Sequence, residues 1–293
     1  MKVGLVGLGR MGRAIHGRLA ESGFEVTGWD RDGAAAKAAA GRGLRLAAHP
    51  RAVAEAADMV ISIITEDNGV RQVFRGENGF LQANVAGKLF IEMSTLQPMT
   101  GRELAPLVEA AGARLIEAPV LGSIPTVREG KLLALAGGRA EDVERARAVL
   151  DKLTRKIVHM GPNGAGYAMK LAVNLGLAAY IQAVAESLAL GEREGLTLGQ
   201  MLDVLGEAPT ANAWLASKKG LLFGEQADIT LDLKTLRKDI MSVVATGAIG
   251  GAGLPLSAGM LAALSAAVAH GWGDKDIGEL PRFFREHMGQ RFD

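Results

Sequence analysis

"KVGLVGLGRMGRAI", residues 2–15, decides the architecture of the first half of the chain. A short β-like run, Lys2 to Val6, passes into Gly7-Leu8-Gly9-Arg10-Met11-Gly12 and then into a segment of helical apolar spacing. Each glycine of a G-x-G-x-x-G pattern between a strand and a helix has a physical use. The first permits the tight turn, the second lets backbone approach a pyrophosphate, and the third lets helix and strand pack closely. The helix start adds free N–H groups and the positive end of a dipole, a ready site for phosphate. The whole hexapeptide, Gly7 and Leu8 through Gly9, Arg10, Met11 and Gly12, is therefore assigned to a dinucleotide.

Further β-like runs follow at 25–29, 59–64, 88–93 and 113–118, with amphipathic segments near 11–21, 32–40, 50–57, 68–74 and 98–111. Apolar runs without strict alternation fit strands buried on both faces, and the helices between them supply crossovers. The prediction is an α/β fold with a Rossmann-type, doubly wound parallel sheet, extended by the runs at 132–137 and 156–161. Beyond residue 166 long Ala/Leu/Met segments take over, at 167–193, 197–206, 232–249 and 254–270, so the second half reads as all-helical. The turn Gly161-Pro162-Asn163-Gly164 sets the boundary: a dinucleotide-binding domain at 1–161 and a helical substrate and oligomerisation domain at 162–293.

Asp30 ends the second β-like run, where a carboxylate accepts hydrogen bonds from an adenosine ribose. It favours NAD by repelling a 2′-phosphate. NADP stays open, because Arg31 beside it could pair with that phosphate or be an ordinary solvated charge.

Composition removes other chemistries. The 293 residues are 48% hydrophobic and carry 33 basic against 32 acidic groups, so neither nucleic acid nor an anionic membrane is the expected partner. With no cysteine there are no disulfides, thiol nucleophiles or zinc-thiolate sites, which fits a cytoplasmic location. The five histidines show no metal-binding spacing, no metal is expected, and no G-x-S-x-G context marks a catalytic serine. The N-terminal apolar run is broken by glycines and reads as no signal peptide. Stretches such as 171–185 contain Asn174 and Gln182 and read as buried helix rather than a bilayer span.

Between Gly161 and Gly191 the only charged residues are Lys170 and Glu186, so Lys170 belongs to no solvated stripe. Asn174 lies four residues on, on the same helical face. A snorkelling lysine and a loop-bonded asparagine would explain the pair as well as catalysis would. The cofactor motif tips the balance: oxidation of an alcohol by hydride transfer needs a group to take the hydroxyl proton, and a lysine with lowered pKa serves.

With these motifs in order, the chain resembles the β-hydroxyacid dehydrogenase family, which includes 3-hydroxyisobutyrate dehydrogenase and tartronate semialdehyde reductase. The resemblance rests on "VGLVGLGRMG" (3–12), "FIEMSTLQP" (90–98), "EAPVLGSIPTVREGKLLALAGG" (117–138), "GPNGAGYAMKLAVN" (161–174) and "LRKDI" (236–240). It implies Lys170 as catalytic acid/base with Asn174 beside it, Thr65 and Thr95 along the nicotinamide side, and Lys238 reaching cofactor or active site. It also implies a substrate-binding set of Ser94, Thr95, Gly122, Ser123, Lys170 and Asn174, and a homodimer or homotetramer. One departure is Leu121 where the family segment usually has serine, with Ser123 in place of the second glycine. This form is similar to that of glyoxylate and succinic semialdehyde reductases. The expected function is NAD(P)-dependent oxidation of a small β-hydroxyacid or reduction of its semialdehyde. The alternatives are a short-chain semialdehyde or glyoxylate reductase, or a non-catalytic dinucleotide-binding module, against which Lys170 and Asn174 count.

Overall fold

Strand β1 (Lys2–Val6) pairs in parallel with β2 (Glu25–Trp29) on one side and β4 (Met59–Ser62) on the other. The computed structural model describes residues 1–288. With β3 (Arg45–Leu46), β5 (Leu89–Glu92) and β6 (Arg114–Glu117), the parallel strands follow the order β3-β2-β1-β4-β5-β6. Crossovers run through helices α1 (Arg10–Glu21), α2 (Gly33–Ala40), α3 (Pro50–Ala56), α4 (Asp67–Arg75) and α5 (Pro98–Ala110). The winding reverses beside β1, and a crevice at the carboxyl ends of strands opens at such a switch point.

Beyond β6 the sheet departs from the all-parallel expectation. Strand β7 (Val120–Leu121), helix α6 (Ile124–Arg128) and strand β8 (Leu132–Gly137) follow, and β8 runs antiparallel to both β6 and β7. A parallel return needs a crossover long enough to span the sheet. The one-turn α6 is too short for that, so the chain doubles back. Helix α7 (Ala140–Leu153) then restores a full crossover, and β9 (Thr154–Gly161) pairs with β8 in parallel.

Successive residues of a strand face opposite sides, and here both sides are covered. Met59, Ile61, Leu89 and Ile91 belong to one apolar cluster, whereas Val60 and Phe90 belong to the other. On the second face the rings of Phe74, Phe80 and Phe90 meet at centroid distances of 5.0 to 5.4 Å.

The chain divides into two compact units, 1–171 and 172 onward. The division falls inside helix α8 (Ala165–Arg193), later than the turn at 161–164 suggests. Its opening turns belong to the first unit because Tyr167 is buried in the second-face core. The second unit is helical: α9 (Leu198–Glu207), α10 (Ala213–Leu222), α11 (Leu233–Ile249), α12 (Pro255–Ala267) and the short α13 (Leu280–Phe283). Thr197 and Gln200 form a reciprocal capping box on α9, and Asp232 caps α11 through the Thr235 amide at 3.0 Å. Val184 and Leu188 of α8 pack with Met201, Leu202, Leu215 and Leu222. A buried ion pair, Lys218 to Asp276 at 2.8 Å, ties α10 to the segment before α13.

Phe90→Ala removes a fully buried ring from the three-ring cluster and should destabilise the chain by about 3–5 kcal/mol. Urea unfolding measures this, and a loss below about 1 kcal/mol would show that the cluster repacks around the gap.

Candidate active site

Gly7 has φ of 96°, and a Cβ there would lie 2.0 Å from the Ile63 carbonyl oxygen. A Cβ on Gly12 would lie 1.9 Å from the Gly7 carbonyl oxygen, so this glycine serves helix–strand packing. At Gly9 an added Cβ would meet nothing within 4 Å, which leaves the backbone open to a ligand. Gly9 is also the N-cap of α1, no side chain caps that helix, and its first turn holds no acidic residue. An uncapped helix start facing open space is fitted to a pyrophosphate.

Gly7, Gly9, Asp30, Arg31 and Thr65 line one cleft of about 680 Å³. A volume of that order suits a nucleotide-sized ligand. Trp29, which sequence reasoning passed over, lines it too; its position at the end of β2 was the available signal. The Asp30 carboxylate accepts the Leu8 N–H at 2.5 Å and the Asp32 N–H at 2.8 Å, so it ties the glycine-rich loop to the end of β2. Carboxylate oxygens each hold two lone pairs, which leaves capacity for a ribose hydroxyl. The hexapeptide does not act uniformly. Leu8 is a fully buried core side chain that offers only backbone, Met11 packs half-buried against the same core, and Arg10 is exposed at the helix start.

Lys170 stands half-buried on α8 and donates from Nζ to the Val120 carbonyl oxygen at 2.9 Å. The segment that accepts it continues through Gly122, whose φ is 139° and whose Cβ would meet Leu132 Cδ2 at 2.6 Å. Only glycine fits that turn. Ser123 Oγ lies 3.1 Å from Thr126 Oγ1.

Beneath Lys170 lies a polar network that sequence reasoning missed. The Glu117 carboxyl accepts the N–H groups of Gly164 and Tyr167, at the start of α8. The Tyr167 hydroxyl donates to Glu92 Oε2 at 2.7 Å. Glu92 also accepts the Ser94 N–H at 2.9 Å and the Ser94 hydroxyl. Both carboxyls have 0% exposure. Burial pushes each of them up to about 7, against the hydrogen bonds that favour the ionised form. Ser94, expected as a substrate contact, takes part in this network. Its hydroxyl donates to Glu92 and accepts the Ile64 N–H at 2.7 Å, inside the protein. Thr95 next to it is half-buried and does not line the cleft of Gly7 and Asp30.

In the second unit Asn174 is buried and donates from Nδ2 to Asp239 Oδ2 at 2.6 Å. The other Asp239 oxygen pairs with Lys238 Nζ at 2.7 Å. Lys238 is thus paired with a buried acid that sequence reasoning overlooked, because in "LRKDI" one acid on an amphipathic helix reads as surface. His159 donates from Nε2 to the Gly138 carbonyl oxygen, 2.9 Å away, an ordinary strand-end contact.

These features have counterparts in known proteins. Residues 2–161 match the family of the NAD-binding domain of 6-phosphogluconate dehydrogenase. Residues 164–284 match the family described as NAD-binding of NADP-dependent 3-hydroxyisobutyrate dehydrogenase. Glyoxylate/succinic semialdehyde reductase 1 of Arabidopsis thaliana is 28% identical over 98% of this chain and 100% of its own length. The 3-hydroxyisobutyrate dehydrogenase of Pseudomonas aeruginosa is 35% identical over 72% of this chain and 70% of its own. The solved structure of Mycobacterium tuberculosis 3-hydroxyisobutyrate dehydrogenase with L-serine superposes with a TM-score of 0.84 at 29% identity, covering 97% of this chain and 99% of that one. The glycine-rich cleft, the lysine on α8 and these matches along nearly the whole sequence lead to one conclusion: the chain belongs to the β-hydroxyacid dehydrogenase family.

Proposed function

We propose that this chain interconverts a small β-hydroxyacid and its semialdehyde, with NAD(P) as hydride carrier and Lys170 as the proton-transfer group. The supporting observation is the Lys170 ammonium, held at 2.9 Å by the Val120 carbonyl oxygen in the unit that carries the dinucleotide cleft. Gly7, Gly9 and Asp30 would hold the dinucleotide. When bound, its nicotinamide ring carries the hydride. Lys170, as the free amine, takes the proton from the substrate hydroxyl; as the ammonium, it returns a proton to the carbonyl oxygen. The Val120 carbonyl aims Nζ in either direction of the reaction, since both forms of lysine donate. Gly122 and Ser123 are the proposed carboxylate contacts, through a backbone N–H and a hydroxyl. With Leu121 in place of a polar side chain, a short semialdehyde acid is the favoured substrate, as in the name of the Arabidopsis relative.

We further propose a cytoplasmic homodimer or homotetramer. Helix α8 is long and apolar enough to cross a bilayer by length and composition, yet in the second unit it packs into a core with α9 and α10. Leu190 on α8 and Ile249 on α11 are each 66% exposed, and a second subunit would cover such side chains.

Reduced nicotinamide absorbance, followed with NAD and NADP across short hydroxyacids and semialdehydes, tests the activity; cofactor binding with no turnover would favour the binding-module reading. Lys170→Ala should lower kcat by about 100-fold or more with cofactor affinity unchanged, and full activity would remove Lys170 from the mechanism. Asp30→Asn keeps an acceptor for the loop while removing the charge. It should narrow the preference for NAD over NADP in kcat/KM, and an unchanged ratio would contradict the ribose assignment. Light scattering should show a multiple of the chain mass that falls for Leu190→Glu combined with Ile249→Glu; an unchanged mass would exclude that surface.

A further inference from the structure

Two uncharged apolar residues would fill the space of Glu92 and Glu117 at no cost in buried charge, and such replacements often stabilise a fold. The chain instead shapes its backbone around these carboxyls. A Cβ on Gly137 would lie 2.2 Å from Glu117 Oε1, one on Gly166 would lie 3.2 Å from Glu117 Cγ, and one on Gly101 would lie 3.0 Å from the Tyr167 ring and 3.2 Å from Glu117 Oε2. Three glycines on three elements thus clear the room that the acids and the tyrosine occupy.

The network connects two places that matter for the reaction. At one end, Ser94 Oγ accepts the amide of Ile64, which with Thr65 lines the dinucleotide cleft. At the other, the Tyr167 hydroxyl reaches Glu92 from a position three residues before Lys170, on the same side of α8. A helix that slips by one residue moves about 1.5 Å along its axis and turns by about 100°. Either motion would take Lys170 Nζ away from the Val120 carbonyl. The Glu117 bonds to the Gly164 and Tyr167 amides resist sliding, and the Tyr167 bond to Glu92 resists rotation.

We propose that Tyr167 and Glu92 are positioning residues for Lys170: the hydroxyl–carboxyl bond fixes the first turns of α8 to the cleft wall and so sets where the ammonium stands. This rests on the proton-transfer role of Lys170 given above. Tyr167→Phe tests it, because the ring and its packing stay and only the hydroxyl goes.

The decisive readout needs no turnover: reductive methylation of Lys170 in the full-length protein, followed by mass spectrometry. In Tyr167→Phe the labelling rate should rise about threefold or more as Nζ leaves its carbonyl, and kcat should fall about tenfold with KM and cofactor Kd within about twofold. Glu92→Gln keeps an acceptor for the hydroxyl and should label at the wild-type rate. An unchanged labelling rate in Tyr167→Phe overturns the proposal whatever the activity. So does faster labelling with unchanged kcat, or a Glu92→Gln chain that labels as fast as Tyr167→Phe. Lack of turnover by the wild type on every substrate would instead refute the assigned function and leave the labelling to decide the positioning.

Discussion

The hydrogen bonds from the opening amides of α8 to the Glu117 carboxyl carry much of the site's geometry. A helix start leaves N–H groups without partners, and a buried carboxyl needs donors; each here answers the other's deficit. The same residue ends β6, so a single side chain fastens the last parallel strand to the helix that bears Lys170. Three residues further along, Val120 presents its carbonyl to that lysine. Strand, helix and the Lys170 amine are therefore located by one short stretch of chain.

The dinucleotide side is built by the same kind of economy. Asp30 accepts two backbone N–H groups and so holds the turn at Gly7 to Gly9 against β2, with acceptor capacity left over. Its role in shaping the loop and its proposed role toward a ribose are not separable by simple deletion. The uncapped start of α1 contrasts with α2, where Asp32 accepts the Ala34 amide at 2.9 Å. The start of α1 has no side-chain cap and its N-cap Gly9 lines the open cleft, while the opening amides of α8 take the Glu117 carboxyl at the end of β6.

Much of the fold was legible because the governing patterns are local. Strand–glycine–helix at residues 2–15 and the alternation of β-like runs with amphipathic segments set the parallel sheet, and the matched families agree. The antiparallel return through β7 and β8 was not legible, since strands of two to six residues and a one-turn helix carry no period. At the site, Lys170 and Asn174 stood out by being polar where a helix is apolar. Glu92, Glu117 and Asp239 did not. Acids at strand ends or on an amphipathic helix look solvated until the tertiary fold buries them, and their partners lie 65 to 75 residues away for Asp239 and Glu92. Ser94, read as a substrate contact, has its hydroxyl on Glu92 two residues back, an acid whose burial the sequence does not announce.

The position of the unit boundary has a consequence for the autonomy of the first unit. Family boundaries and the glycine-rich turn both suggest cutting the chain near residue 161, yet the compact unit extends to Leu171. A fragment ending at Gly161 would keep every strand and lose Gly164 and Tyr167. Glu92 would then lack its phenol and Glu117 its helix amides, and the apolar cluster that includes Phe90 and Leu104 would lose the Tyr167 ring. The nucleotide-binding half is thus not a self-sufficient module to which a helical half has been appended. It borrows its final plug from the helix that begins the other half, so the smallest piece of this chain with a complete interior already contains the lysine.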